Sequence, residues 1–163
     1  MSSAATPAFH LAQLNIGRLR ALPGSPQVAD FFARLDEMNA LAERSPGFVW
    51  RLKSDTPEQG IPLGDDARLL VNLSVWRDIE TLFDYVYRSA HREPLGRRRD
   101  WFEPAAQPHQ VMWWVPAGHR PDAAEALARL ELLRRDGPGP AAFNFVRRFD
   151  VAGRPLSARP AAA

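Results

Sequence analysis

Seven residues in two short stretches of this sequence have the types and the spacing to do chemistry together. In Arg68–Trp76 (RLLVNLSVW), Asn72, Ser74 and Trp76 alternate and so project from one face of a strand, while Leu69, Val71, Leu73 and Val75 make the opposite face wholly apolar. Further on, Tyr87, His91, Arg98 and Trp101 stand at offsets of 4, 7 and 3, which aligns them along one stripe of a nearly continuous helical path that Pro94 interrupts. A histidine with an ordinary pKa near 6.5 is the natural proton acceptor at neutral pH, an arginine holds a carboxylate or enolate, and aromatic rings form a flat apolar slot. The set suits proton abstraction from an acidic phenol or enol, after which dioxygen reacts with the carbanion. In that reading His91 is the catalytic base, and Asn72, Ser74, Trp76, Tyr87, Arg98 and Trp101 bind and orient the substrate.

The same residues have plainer explanations. Beside Ser89 and Glu93, at a helix start, His91 fits a capping contact equally well. Trp76, Trp101, Trp113 and Trp114 are residues that build cores and interfaces. Asn72 and Ser74 say more, because polar side chains on a half-apolar strand need hydrogen-bond partners once buried, and so mark a wet pocket or a polar interface. The basic run Arg97-Arg98-Arg99 is interleaved with Glu93, Asp100 and Glu103, the pattern of a solvated helix face.

Several classes of function are disfavoured. The four histidines, His10, His91, His109 and His119, have no short spacing and no neighbouring carboxylate cluster, which argues against a metal site. With no cysteine, disulfides, iron–sulfur clusters, thiolate zinc and a cysteine nucleophile are out. No glycine-rich phosphate loop and no nucleophile elbow occur. A formal net charge of +2 gives little hold on nucleic acid, and no apolar run approaches the length of a membrane span, so the expectation is a cytoplasmic protein.

The elements that must position these residues follow from periodicity. Strands are expected over Ala8–Ile16, Phe48–Lys53, Arg68–Trp76, Gln110–Val115 and Phe143–Phe149. Helices are expected from a Ser25-Pro26 start to Ser45, from Asp78 to Arg88, again after Pro94 through Trp101 and Phe102, and from Pro121 to Asp136 with Gly137 as cap. Residues 1–7 and the Pro/Ala-rich 151–163 read as flexible ends of a single domain spanning 8–150. The order is that of the split βαβ pattern, an α+β, ferredoxin-like antiparallel sheet with helices on one face. The apolar face of Arg68–Trp76 should meet the helices. The other face, carrying Trp76 and either Trp113 or Trp114, should be covered by a second copy of the chain.

The blocks FHLAQLNIGRLR, SPGFVWRL, VNLSVW, FDYVYRSAHRE, RRRDWFE and WWVPAGHRP, in that order between Phe9 and Phe149, resemble the bacterial family called domain of unknown function 3291, grouped with the dimeric α+β barrels. The resemblance implies that fold and a homodimer, and places the ligand between the sheet and the helices of one subunit. Relatives in the superfamily include cofactor-free monooxygenases, haem-degrading enzymes, haem peroxidases and chlorite dismutases, and none of their catalytic motifs maps onto this chain. Three functions follow as expectations. The first is a cofactor-free, monooxygenase-like enzyme for an aromatic or polyketide-like small molecule. The second is a haem protein with His91, His10 or His119 as axial ligand. The third is a noncatalytic dimeric module that binds a hydrophobic metabolite.

Overall fold

The computed structural model describes residues 8–55 and 61–157. Its frame is an antiparallel sheet of β1 (Phe9–Arg18), β2 (Phe48–Arg51), β4 (Asp66–Trp76) and β5 (Gln110–Pro116), in the spatial order β2-β4-β1-β5, with the two-residue β3 (Pro62–Leu63) beside β4. The helices are α1 (Ala29–Arg44), α2 (Ile79–Arg88), the short α3 (Arg92–Gly96) and α4 (Arg98–Trp101), and α5 (Ala123–Asp136). This strand order and connection are those of the expected split βαβ, α+β fold. Among the described residues no helix is long and apolar enough to cross a membrane.

Local chemistry explains the ends. Asp78 and Asp122 cap α2 and α5 by accepting the Thr81 and Glu125 N–H groups at 2.8 Å each. Gly137, at φ 75°, ends α5. Ser25 makes no side-chain cap; Pro26–Val28 forms one 3-10 turn ahead of α1. The third helix expected after Pro94 is split in two at Arg97.

The faces are arranged differently from the expectation. Register pairs Leu11, Gln13, Asn15 and Gly17 of β1 with Trp76, Ser74, Asn72 and Leu70 of β4. This mixed face lies under α1 to α4: Trp76 packs with Ala42, Ile79 and Leu82, and Leu70 packs with Trp101 and Phe102. The apolar face (Ala12, Leu14, Val71, Leu73, Val75, Trp113) is instead covered by Ala126, Leu130 and Leu133 of α5. Helices therefore flank both faces. The stripe of α5 needs an apolar partner, and the polar groups of the mixed face could not supply one. Trp76 is 1% and Trp113 0% exposed within one chain, so no second copy is required to cover them.

The fifth strand expected over Phe143–Phe149 is not formed. Phe143 makes one bridge to Met112, and then the Asn144 side chain accepts the Val146 and Arg147 N–H groups and turns the chain. The tail expected from Val151 begins with a tight turn. Asp150 accepts from Ala152 and Arg154, Gly153 takes φ 82°, and Leu156 N–H returns to Arg148 O at 2.8 Å. Residues 1–7 and 158–163, the remaining parts of the expected flexible ends, lie outside the described residues.

The turn between α1 and β2 is held against the start of α2 by Gly47, whose carbonyl accepts Arg77 N–H at 2.6 Å. Gly47 has φ 83°, and a Cβ there would overlap the Thr81 side chain. Gly47→Ala is expected to cost on the order of 2 kcal/mol or more, read as a lower urea midpoint at unchanged m-value.

Candidate active site

Between the mixed face and α1 to α4 lies a cavity of about 400 Å³, within the usual range for small-molecule sites. It follows β4 from Trp76 to Leu70, six residues of extended chain or roughly 20 Å. All seven residues singled out from the sequence, Asn72, Ser74, Trp76, Tyr87, His91, Arg98 and Trp101, line it. The break at Ser89 does not scatter them, because α3 and α4 turn back across the same face.

The floor is a hydrogen-bonded ladder. Gln13 Nε2 donates to Asn72 Oδ1 at 2.8 Å and to Ser74 Oγ at 2.7 Å, and Trp76 Nε1 donates to the same Ser74 Oγ at 2.9 Å. Gln13, Ser74 and Trp76 are buried, whereas Asn72 is exposed and also lines a smaller neighbouring cavity with Asp36, Arg51, Lys53 and Ser54. Trp76 is fixed edge-on by Phe48 at 5.5 Å and stacked by Tyr85 at 5.1 Å.

His91 sits against Tyr85, ring centroids 4.9 Å apart, and its Nδ1 lies 3.2 Å from the Val86 carbonyl oxygen. A carbonyl only accepts, so Nδ1 carries the proton and Nε2 is the bare, basic nitrogen. Among the described residues Nε2 has no hydrogen-bond partner. Burial holds the His91 pKa below its ordinary value, against a smaller opposite effect of the Val86 contact. The capping role considered from sequence is carried by backbone: His91 N–H is received by Ser89 Oγ at 3.1 Å, and the ring makes no cap bond.

Arg98 lies over the Phe102 ring at 4.7 Å, with one guanidinium N–H reaching Ile16 O at 3.3 Å. Gly17 makes room for it: a Cβ there would stand 2.7 Å from the Phe102 ring and 2.9 Å from the guanidinium. Trp101 packs against Phe31 at 5.7 Å under the Arg97 guanidinium. Tyr87 reaches only the margin, its ring turned to Phe83 and Phe145 at 4.7 and 5.6 Å.

Sequence reasoning passed over several lining residues. Gln13 is the hub of the ladder, and its signal was a lone amide in the apolar run Leu11–Leu14. Tyr85 follows Leu82 by three, the spacing of a shared helix face, whereas the offsets to His91 single out Tyr87. Tyr85 donates to Met38 O at 3.1 Å, and burial pushes its pKa up to about 12, so it stays a neutral hydroxyl. Of the two tryptophans left undecided, Trp114 shares the cavity's side of the sheet but is spent on Phe149 O at 2.8 Å, and Trp113 faces α5; neither lines the cavity.

Of the axial candidates for haem, His10 pairs with Val115 on the α5 side of the sheet, and His119 is exposed, 2.9 Å from Glu125. His91 alone of the three lines the cavity. Among the described residues no group of three His, Cys, Asp or Glu could hold a metal ion.

Residues 10–158 match the family described as Domain of unknown function (DUF3291). The chain belongs to that family. Among curated proteins no sequence matches it. Solved structures similar to this DUF3291 chain include SnoaB, a cofactor-independent oxygenase from Streptomyces nogalater, at 18% identity over 69% of this chain and 97% of that one, TM-score 0.46. PA3566 from Pseudomonas aeruginosa has 13% identity over 71% and 100%, TM-score 0.44. A Nitrosomonas europaea protein proposed to be an antibiotic biosynthesis monooxygenase has 14% identity over 74% and 100%, TM-score 0.43. With all three below 0.5, what those proteins do is not carried to this chain by likeness.

The ladder gives a direct stability expectation. Gln13→Ala removes the donor to Asn72 Oδ1 and leaves Ser74 Oγ with Trp76 Nε1–H alone, at about 1–3 kcal/mol in urea unfolding.

Proposed function

We propose that this DUF3291 chain is a cofactor-free, monooxygenase-like enzyme acting on an aromatic or polyketide-like small molecule with an acidic C–H or O–H. The observation that carries the reading is His91: Nδ1–H is committed to Val86 O, leaving Nε2 bare beside Tyr85 in a cavity walled by Trp76 and Trp101. Burial keeps this imidazole neutral at pH 7, the state a general base needs.

In the proposed reaction His91 Nε2 takes a proton from the substrate's methylene or enol, and the electron pair left behind delocalises into the aromatic system over Trp76. One electron passes to O₂, the resulting radicals combine to form a C–O bond, and the peroxide anion takes the proton back from His91 to become a hydroperoxide. Loss of water leaves a carbonyl, so the substrate CH₂ becomes C=O with one O₂ consumed and one H₂O released. Arg98, at the Gly17 end, orients the substrate, and the amides of Asn72 and Asn15 orient polar substituents from the floor.

The test is O₂ uptake with 1,8-dihydroxyanthrone as probe. Wild type should consume O₂ and give the quinone; His91→Ala should lose at least 100-fold in kcat/KM while still binding the probe, general-base removal being worth about 10²–10⁴. Because the His91 pKa is lowered, protonation should abolish activity only below pH 6.5, with a flat profile through neutrality. Probe binding without O₂ uptake by wild type would instead favour the noncatalytic binding module.

A further inference from the structure

The charge around the cavity is one-sided. Its lining contains Arg34, Arg51, Arg98, His91 and His109, and no Asp or Glu among the described residues. Two of the arginines are neutralised from outside: Arg34 by Glu93 and Asp30, and Arg51 by Glu43 at 2.8 Å. Arg98 has no carboxylate within ion-pair distance among the described residues. Of its five N–H groups one meets Ile16 O at 3.3 Å, the guanidinium carbon lies 4.7 Å from the Phe102 ring centroid, and the other N–H groups have no hydrogen-bond partner among the described residues. A half-buried guanidinium without a counter-ion is costly, and the cost is recovered when a ligand supplies the anion.

We propose that the occupant of the cavity is a monoanion, its carboxylate held by Arg98 at the Gly17 end and its flat aromatic body lying along the ladder toward Trp76. The inference rests on the cavity being the aromatic-substrate site described above and adds the charge and orientation of what enters it.

The charge is single because the subsite offers a single cation. His109, at the same end, is kept from protonating by burial and by the charges of Arg98 and Arg134, so it contributes a neutral ring. A phosphomonoester dianion would find one positive charge where it needs two; a carboxylate matches the guanidinium edge in charge and in bidentate geometry. Arg98 is in this account a specificity-determining residue, and Gly17 positions it.

The experiment is calorimetric titration of the wild-type protein with three probes of one size: 2-naphthoate, 2-naphthamide and 2-naphthyl phosphate. Naphthoate should bind at least tenfold more tightly than naphthamide and more tightly than the phosphate. Arg98→Gln should lower naphthoate affinity at least tenfold, to about the wild-type naphthamide level. Gly17→Ala, which keeps every charge but displaces the guanidinium, should lose part of the same preference. Equal affinities for naphthoate and naphthamide in wild type would overturn the proposal and leave the aromatic cavity standing. Tighter binding of the phosphate would overturn the single charge. Failure of all three probes to bind would overturn this proposal together with the aromatic-substrate reading beneath it.

Discussion

The ladder from Gln13 to Asn72, Ser74 and Trp76 is the constraint around which the rest of this molecule is arranged. Polar side chains in the middle of a sheet face cannot be buried under apolar helix stripes without losing their partners. In this chain they bond to each other, and the helices above them are held at the rim: Trp76 carries Tyr85 and α2 at one end, Leu70 carries Trp101 and α4 at the other. The space between is the cavity. A face of leucines in the same positions would have closed it.

That constraint also settles which helix goes where. The fully apolar face is the better partner for a helix that packs tightly, and α5 takes it with Ala126, Leu130 and Leu133. The looser roof on the mixed face is made from short pieces. α3 and α4 are five and four residues long, too short to be stable alone. They are tied to α1 by Arg34 with Glu93 and by Arg97 with Asp30 at 2.6 Å. These exposed pairs are individually weak, so the roof owes its position to Trp101 and Phe102 buried beneath it.

Much of this was legible before any coordinates. The alternation in β4 exposed both the strand and the residues that share a face, and the offsets from Tyr87 to Trp101 collected a set that the fold does bring to one cavity. Periodicity could not say which face of β4 the helices cover, because both faces end up buried and a 2-residue repeat carries no sign. It picked Tyr87, whereas Tyr85, two residues earlier, is the inner ring, since both tyrosines lie beside apolar neighbours. It read Phe143–Phe149 as a strand because aromatic and branched residues alternate there, missing that Asn144 uses its side chain to turn the backbone. The split of one expected helix into α3 and α4 left the site intact, because Arg98 and Trp101 are held by β1 and α1 and not by helix continuity.

The proposed chemistry turns on His91, a cavity-lining imidazole whose Nδ1 is engaged by Val86 O and whose Nε2 is bare. Long-range ¹H–¹⁵N spectra of the imidazoles, assigned through a His91→Gln variant, test this directly. At pH 7 the account predicts a neutral His91 with its proton on Nδ1, titrating below pH 6.5. A His91 that is charged at pH 7, or neutral with the proton on Nε2, would contradict it.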